Sequence, residues 1–137
     1  HVPMTNMYRD DPWLWPAHTA AADLYAMAGI EPNDVDVLQM YDMFSPVVLY
    51  GIEAYGFCGR GEAGAFVCDG HIDSVDAKLP TNTAGGSLSE AYIHGFNLIL
   101  EAVRQLRGTA SNPVENAEVA VVSAAPVVPS SAIALRR

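Results

Sequence analysis

The chain has 137 residues, 50% of them apolar and 17% charged, which is enough for one domain with a real core and excludes a disordered chain. Lys and Arg total 7 against 16 Asp and Glu, a formal charge of −9. That balance excludes the basic face with which nucleic-acid binders displace phosphate counterions, and electrostatic attachment to anionic lipid; no apolar run is long enough to cross a bilayer.

The chain opens on His1 rather than Met, with no charged-then-apolar leader, so it is expected to be a piece of something longer, placed in the cytoplasm. Residues 1–16 are expected to form an extended arm. It carries Trp13 and Trp15 in a DDPWLWP cluster whose Pro12 and Pro16 exclude a regular helix. The tryptophans are expected to bury the arm on this chain or on a partner. The alanine-rich run from Ala17 to Gly29 predicts a helix stopped by its glycine. A turn at Ile30 to Asp34 leads to a strand over Asp34 to Met40.

Phe44 to Phe57, with Val47, Val48, Ile52 and Tyr55, predicts a second helix ended by Gly56 and Gly59. Gly59 to Gly64 is turn-rich, and Ala65 to Cys68 is a short helical or extended piece. Cys58 and Cys68, the two cysteines of the chain, are too few for a disulfide framework. With His71 they lack a fourth zinc ligand and match no common zinc spacing, so no metal site is expected and both read as small buried side chains.

Leu79 to Gly86 is a loop with two glycines that feeds a long helix predicted over Leu88 to Leu106 and closed by Gly108. Strands follow at Glu118 to Ser123 and Ser131 to Leu135, separated by Pro126 and Pro129. The order predicts an α/β fold, a layered sheet covered by helices.

Three stretches sit where α/β folds place chemistry. Tyr41 and Asp42 stand where a strand gives way to a helix, as a phenol and an orienting carboxylate, or with Asp42 as a helix cap or hydrogen-bond acceptor. Asn82, Gly85 and Gly86 form a loop that lets backbone approach a ligand, followed by Tyr92 and His94 near a helix start that suits an oxyanion. On a helix, residues two apart diverge, so His94 would reach the site only if the helix starts late. The spacing is not that of a phosphate P-loop. Ser123 to Pro129 is a turn between strands.

Taken in order, these stretches resemble the C-terminal half of the thiolase superfamily, nearest the sterol-carrier-protein thiolase and lipid-transfer branch. Tyr41-Asp42-Met43-Phe44 stands where that branch has His-Asp-Cys/Ala-Phe, followed by the Gly61-Glu62-Ala63 turn. Pro80, Asn82, Gly85 and Gly86 match a Pro-x-Asn-x-x-Gly-Gly loop, and Gln105 to Gly108 matches a Gln-Leu-Arg-Gly run. Residues 17–137 therefore resemble a thiolase-like C-terminal domain, whose N-terminal half is absent from this chain.

The departures matter as much as the matches. Tyr41 and Tyr92 occupy the two family histidine positions, and no cysteine stands near Ser123 where the family has Cys-x-Gly. A thiolytic reaction needs an activated thiol, so the pattern argues against thiolase activity. It resembles instead the lipid-transfer-protein aldolases of steroid side-chain degradation. This resemblance implies retro-aldol cleavage of a 17-hydroxy steroid acyl-CoA to a 17-ketosteroid and propionyl-CoA. Coenzyme A would arrive as part of the substrate, with no separate cofactor.

The resemblance also implies a homodimer within a heteromeric complex, the partner being the DUF35 (OB-fold) domain of an enoyl-CoA hydratase. Tyr41 and Tyr92 would move protons, which of them is the base being left open, with His94 assisting. Asn82, Gly85, Gly86 and Asp42 would shape the acyl and oxyanion region. The acidic balance assigns the CoA phosphates to the missing half or to a partner. The alternative is a non-catalytic thiolase-like module that binds lipid or acyl-CoA, or serves assembly.

Overall fold

The computed structural model describes residues 11, 14–127 and 130–137. Helix α1 spans Pro16–Ala28. Pro16, expected to end the arm, is instead the first helical residue, where its fixed φ suits helix entry and its missing N–H is not needed. Gly29 closes the helix at φ 64°, donating its N–H to Tyr25 O at 2.9 Å. Of the expected arm, Trp15 stacks on Tyr50 with ring centroids 4.7 Å apart, so this tryptophan is held by the chain itself; Trp13 lies outside the described residues.

A single 3-10 turn at Pro32–Asp34 precedes strand β1, Val37–Met40. Three helices follow: α2 at Ser45–Ala54, α3 at Ala63–Cys68 and the one-turn α4 at Gly86–Ser89. Helix α5 runs over Phe96–Arg107, with Gly108 as its left-handed cap, and strands β2 (Val119–Ser123) and β3 (Ala132–Arg136) complete the order. Among the described residues the sheet is β1-β2-β3, with β1 parallel to β2 and β3 antiparallel to it. The α/β layering expected from the element order is the observed one.

Both faces of β1 and β2 are covered, which is why both strands are wholly buried and read as apolar runs. Alternation divides their side chains. Leu38, Met40 and Val121 join Ile52, Tyr55 and Ala21 in one core with α1, α2 and α3. Val37, Ala120 and Val122 join Leu98, Ala102 and Leu106 of α5 in the other. Each fully buried large aliphatic side chain contributes about 1.5–3 kcal/mol of transfer free energy.

Cys68 is exposed, not buried as expected, because it ends a short helix with its side to water; Cys58 is half-buried. Among the described residues no group of three or more His, Cys, Asp or Glu could hold a metal, and His71 lies against Phe66 instead, centroids 4.7 Å apart. No helix among them is long and apolar enough to cross a membrane.

Candidate active site

The single helix expected over Leu88 to Leu106 is two helices. Helix α4 ends at Ser89 and α5 begins only at Phe96. Gly95, at φ 81°, and His94, at φ 53°, take left-handed conformations that no helix interior accepts. Tyr92 and His94 therefore lie on the connecting segment, not on a helix face.

That break returns the segment over the end of β1. Tyr41 follows β1 directly and extends its pairing, its N–H donating to Ser123 O at 3.0 Å. Its hydroxyl donates to the Tyr92 hydroxyl at 2.7 Å, with the rings tilted and their centroids 6.3 Å apart. The imidazole of His94 lies 5.1 Å from the Tyr92 ring. The late start of α5 thus brings together three candidate side chains that one continuous helix would have splayed apart. The hydrogen bond given to Tyr92 is the largest reason that the Tyr41 phenol lies above its ordinary value; burial and the neighbouring Tyr92 and Asp42 add to it.

A polar frame holds these elements. Asn82 clamps Met40, accepting its N–H at 2.8 Å and donating to its carbonyl at 3.0 Å. Asp42 is buried and accepts the N–H groups of Ser87 at 2.7 Å and Leu88 at 3.3 Å, capping α4. Gly86 fits because a Cβ there would overlap the Asp42 carboxylate and stand 2.8 Å from Asn82 Nδ2. Behind the loop, Thr83 Oγ1 donates to buried Glu101 at 2.7 Å and accepts from Gln39 at 3.0 Å and Gln105 at 2.8 Å.

Beside Tyr41 lies a cleft of about 370 Å³ whose walls include His94, Phe96, Ile99, Ser123 and Ile133. No Lys or Arg among the described residues lines it.

The family match settles the fold's relationships. The thiolase C-terminal domain-like family matches residues 3–135. The chain belongs to that family. It is 51% identical over 112 residues to the 17-hydroxy-3-oxo-4-pregnene-20-carboxyl-CoA lyase of Mycobacterium tuberculosis, covering 82% of this chain and 29% of that protein. It is 43% identical over 133 residues to the steroid side-chain-cleaving aldolase of Thermomonospora curvata, covering 96% of this chain and 34% of that one. The solved Ltp2-ChsH2(DUF35) aldolase matches with a TM-score of 0.89 at 40% identity, over 95% of this chain and 34% of that chain. The chain thus spans about a third of the length of these relatives.

Within this thiolase-like domain, the expected site residues divide in two. Tyr41, Tyr92 and His94 come together at the end of β1, Tyr41 and His94 among them lining the cleft. Asn82, Gly85, Gly86 and Asp42, expected to shape the acyl and oxyanion region, stand in the frame behind those three side chains. Asp42 and Asn82 have their polar atoms engaged by backbone, and Gly85 donates its N–H to Asn82 O at 2.7 Å. With the Ser87 and Leu88 N–H groups also taken by Asp42, the start of α4 does not offer those donors to a ligand.

Neither cysteine substitutes for an activated nucleophile at this site. Burial, helped by Glu53 and Glu62, pushes the Cys58 thiol up to about 11. Sequence reasoning missed Gly95, Phe96, Ile99 and Ile133. A glycine inside a supposed helix was the available signal for the break at Gly95. Alternation with Leu135 would have placed Ile133 on the α5 side of β3.

Proposed function

We propose that this chain is the C-terminal part of a thiolase-like aldolase. It would cleave a 17-hydroxy steroid side-chain acyl-CoA by a retro-aldol reaction to a 17-ketosteroid and propionyl-CoA. The observation that carries this reading is the hydrogen bond between Tyr41 and Tyr92 at the end of β1. The activities of the two relatives, a 17-hydroxy-3-oxo-4-pregnene-20-carboxyl-CoA lyase and a steroid side-chain-cleaving aldolase, support the substrate class.

The reaction needs no enzyme nucleophile, because the substrate already carries its thioester. It needs a proton taken from the tertiary alcohol and a proton given to the α-carbon of the thioester. An isolated phenol, with a value of about 10, is a poor base at neutral pH. Two hydrogen-bonded phenols remove that difficulty by passing protons along a line. The alcohol proton moves to the Tyr41 oxygen, the Tyr41 proton crosses to Tyr92, and the Tyr92 proton goes to the α-carbon.

As the alcohol O–H electrons form the ketone, the C–C bond breaks and its electron pair becomes the thioester enolate that takes that proton. Both tyrosines end as neutral phenols. His94, as an imidazole that can donate a ring N–H, is assigned to the thioester oxygen, on which the enolate charge develops. Coenzyme A enters as part of the substrate. The Ltp2-ChsH2(DUF35) relative supports a DUF35 partner, from an enoyl-CoA hydratase, and a homodimer within that complex completes the reading.

The test is to incubate the complete protein and its partner with the 17-hydroxy steroid acyl-CoA and to follow the 17-ketone. Ketone from the wild type, lost when Tyr41→Phe and Tyr92→Phe are combined, is the expected result. Ligand binding with no turnover from the wild type would make the domain a binding module instead.

A further inference from the structure

We propose that the cleft beside Tyr41 receives the fused-ring half of the substrate, with Phe96, Ile99 and Ile133 deciding which ring systems fit. This rests on the retro-aldol reading. The direction of the substrate follows from which tyrosine borders the cleft. Tyr41 lines it, whereas Tyr92 does not and is 60% exposed. In the proton relay Tyr41 faces the alcohol and Tyr92 faces the thioester α-carbon. The carbon that bears the alcohol belongs to the ring system, so the rings extend from Tyr41 into the cleft while the acyl chain leaves past Tyr92.

The walls suit such an occupant. Ile99 packs against the α5-side core, and Ile133 reaches the same side of the sheet from β3. At the mouth, Phe96 is 58% and Ile133 41% exposed, large apolar surface that a rigid hydrocarbon would cover. Polar groups at the cleft belong to the Tyr41 and His94 end and to Ser123 and Ser131, which fits an apolar body with one reacting oxygen. A volume of about 370 Å³ lies in the lower part of the range for small-molecule pockets, about 300–1,000 Å³. The CoA end does not suit this cleft. Its phosphates need cations, and among the described residues no Lys or Arg lines these walls, in a chain of charge −9.

The experiment uses the complete protein with its partner, as Ile99→Trp and as Ile133→Trp, each also combined with Tyr41→Phe and Tyr92→Phe. Calorimetric titration with a 17-ketosteroid reads the cleft without turnover. The ratio of kcat/KM for the steroid thioester to that for a ring-free tertiary β-hydroxyacyl-CoA reads it with turnover. Either tryptophan is expected to weaken ketosteroid binding by about tenfold or more and to lower the ratio similarly.

Ketosteroid binding unchanged in both tryptophan variants, with wild-type circular dichroism, overturns the proposal. Should Ile99→Trp unfold α5, Ile133→Glu at the exposed mouth gives the same reading by placing a charge against the rings. The two proposals fail separately. A wild type that cleaves nothing but loses ketosteroid binding on filling keeps the ring cleft and rejects the reaction. A wild type that cleaves the steroid thioester while the filled variants bind the ketosteroid normally does the reverse.

Discussion

The Tyr41 ring rests on Gly95, where a Cβ would stand 2.9 Å from Tyr41 Cδ2. Gly95 is also at φ 81°, so alanine there meets both backbone strain and the ring. Gly95→Ala is expected to destabilise the protein by at least about 1 kcal/mol and to lower kcat more than it changes KM, because Tyr41 must move off Tyr92. Gly108→Ala is the control. Gly108 has φ 67° but nothing within 4 Å of a Cβ, so melting should fall while turnover stays. Thermal melts and steady-state kinetics of the two variants check this, and equal kinetic losses would refute the contact.

The tyrosine relay makes its own demand on mutant kinetics. If protons pass in line, either phenylalanine breaks the whole line. Tyr41→Phe and Tyr92→Phe should each lower kcat by about 10²–10⁴, and the double variant should be no worse than the poorer single one. Losses that multiply would mean two independent groups. The same hydrogen bond is the largest cause of the raised Tyr41 value. In Tyr92→Phe, NMR titration of ring-labelled tyrosine should therefore find Tyr41 ionising at lower pH than in the wild type.

Asp42 is best tested through the helix it caps. Asp42→Ala removes the acceptor for Ser87 and Leu88 and should cost about 1–2 kcal/mol, while Asp42→Asn keeps one acceptor oxygen and should recover part of this. Gly86→Ala, which forces a methyl into the Asp42 carboxylate, should cost more than either loss of the cap. Urea unfolding of the three variants ranks them. A Gly86→Ala protein as stable as wild type would mean that the loop gives way freely and does not frame the site.

How much of this could be read from the residues depended on how local the signal was. The strands at β1 and β2 were legible because both faces are buried, which makes each a short and largely apolar run. The Gly29 and Gly108 stops were legible because a left-handed cap acts within one turn. The break before Phe96 was missed because Leu88, Ala91, Ile93 and Phe96 keep helical spacing across it. The glycine at 95 is required by the ring of Tyr41, which is distant in sequence. Asp42 was legible as a cap or hydrogen-bond acceptor, but not as the acceptor for Ser87 and Leu88 of α4, and the partner of Asn82 at Met40 was hidden, since both pairs meet only in the folded sheet. The tyrosine positions were visible through the motif, but their 2.7 Å contact was not.

Alkaline pH should unfold the protein through Tyr55. Its side chain is fully buried, and burial pushes the phenol up to about 12, against an opposing pull from the Ser130 and Ser123 hydroxyls. Tyr25, whose hydroxyl donates to the Tyr55 carbonyl at 2.7 Å, is raised as well, by burial first and then by Tyr55. An unfolded chain ionises its tyrosines near about 10. Above that pH the unfolded state releases a proton that folded Tyr55 retains, so the unfolded state gains. The stabilising contribution of Tyr55 is therefore whole below about pH 10 and is lost as pH rises towards about 12, on the order of 3 kcal/mol by linkage. The urea midpoint should stay level from about pH 7 to 9 and fall beyond about 10, and Tyr55→Phe should flatten part of that fall. A wild-type midpoint that does not fall above about pH 10, or a fall that Tyr55→Phe leaves unchanged, would show that the buried phenol does not govern alkaline unfolding.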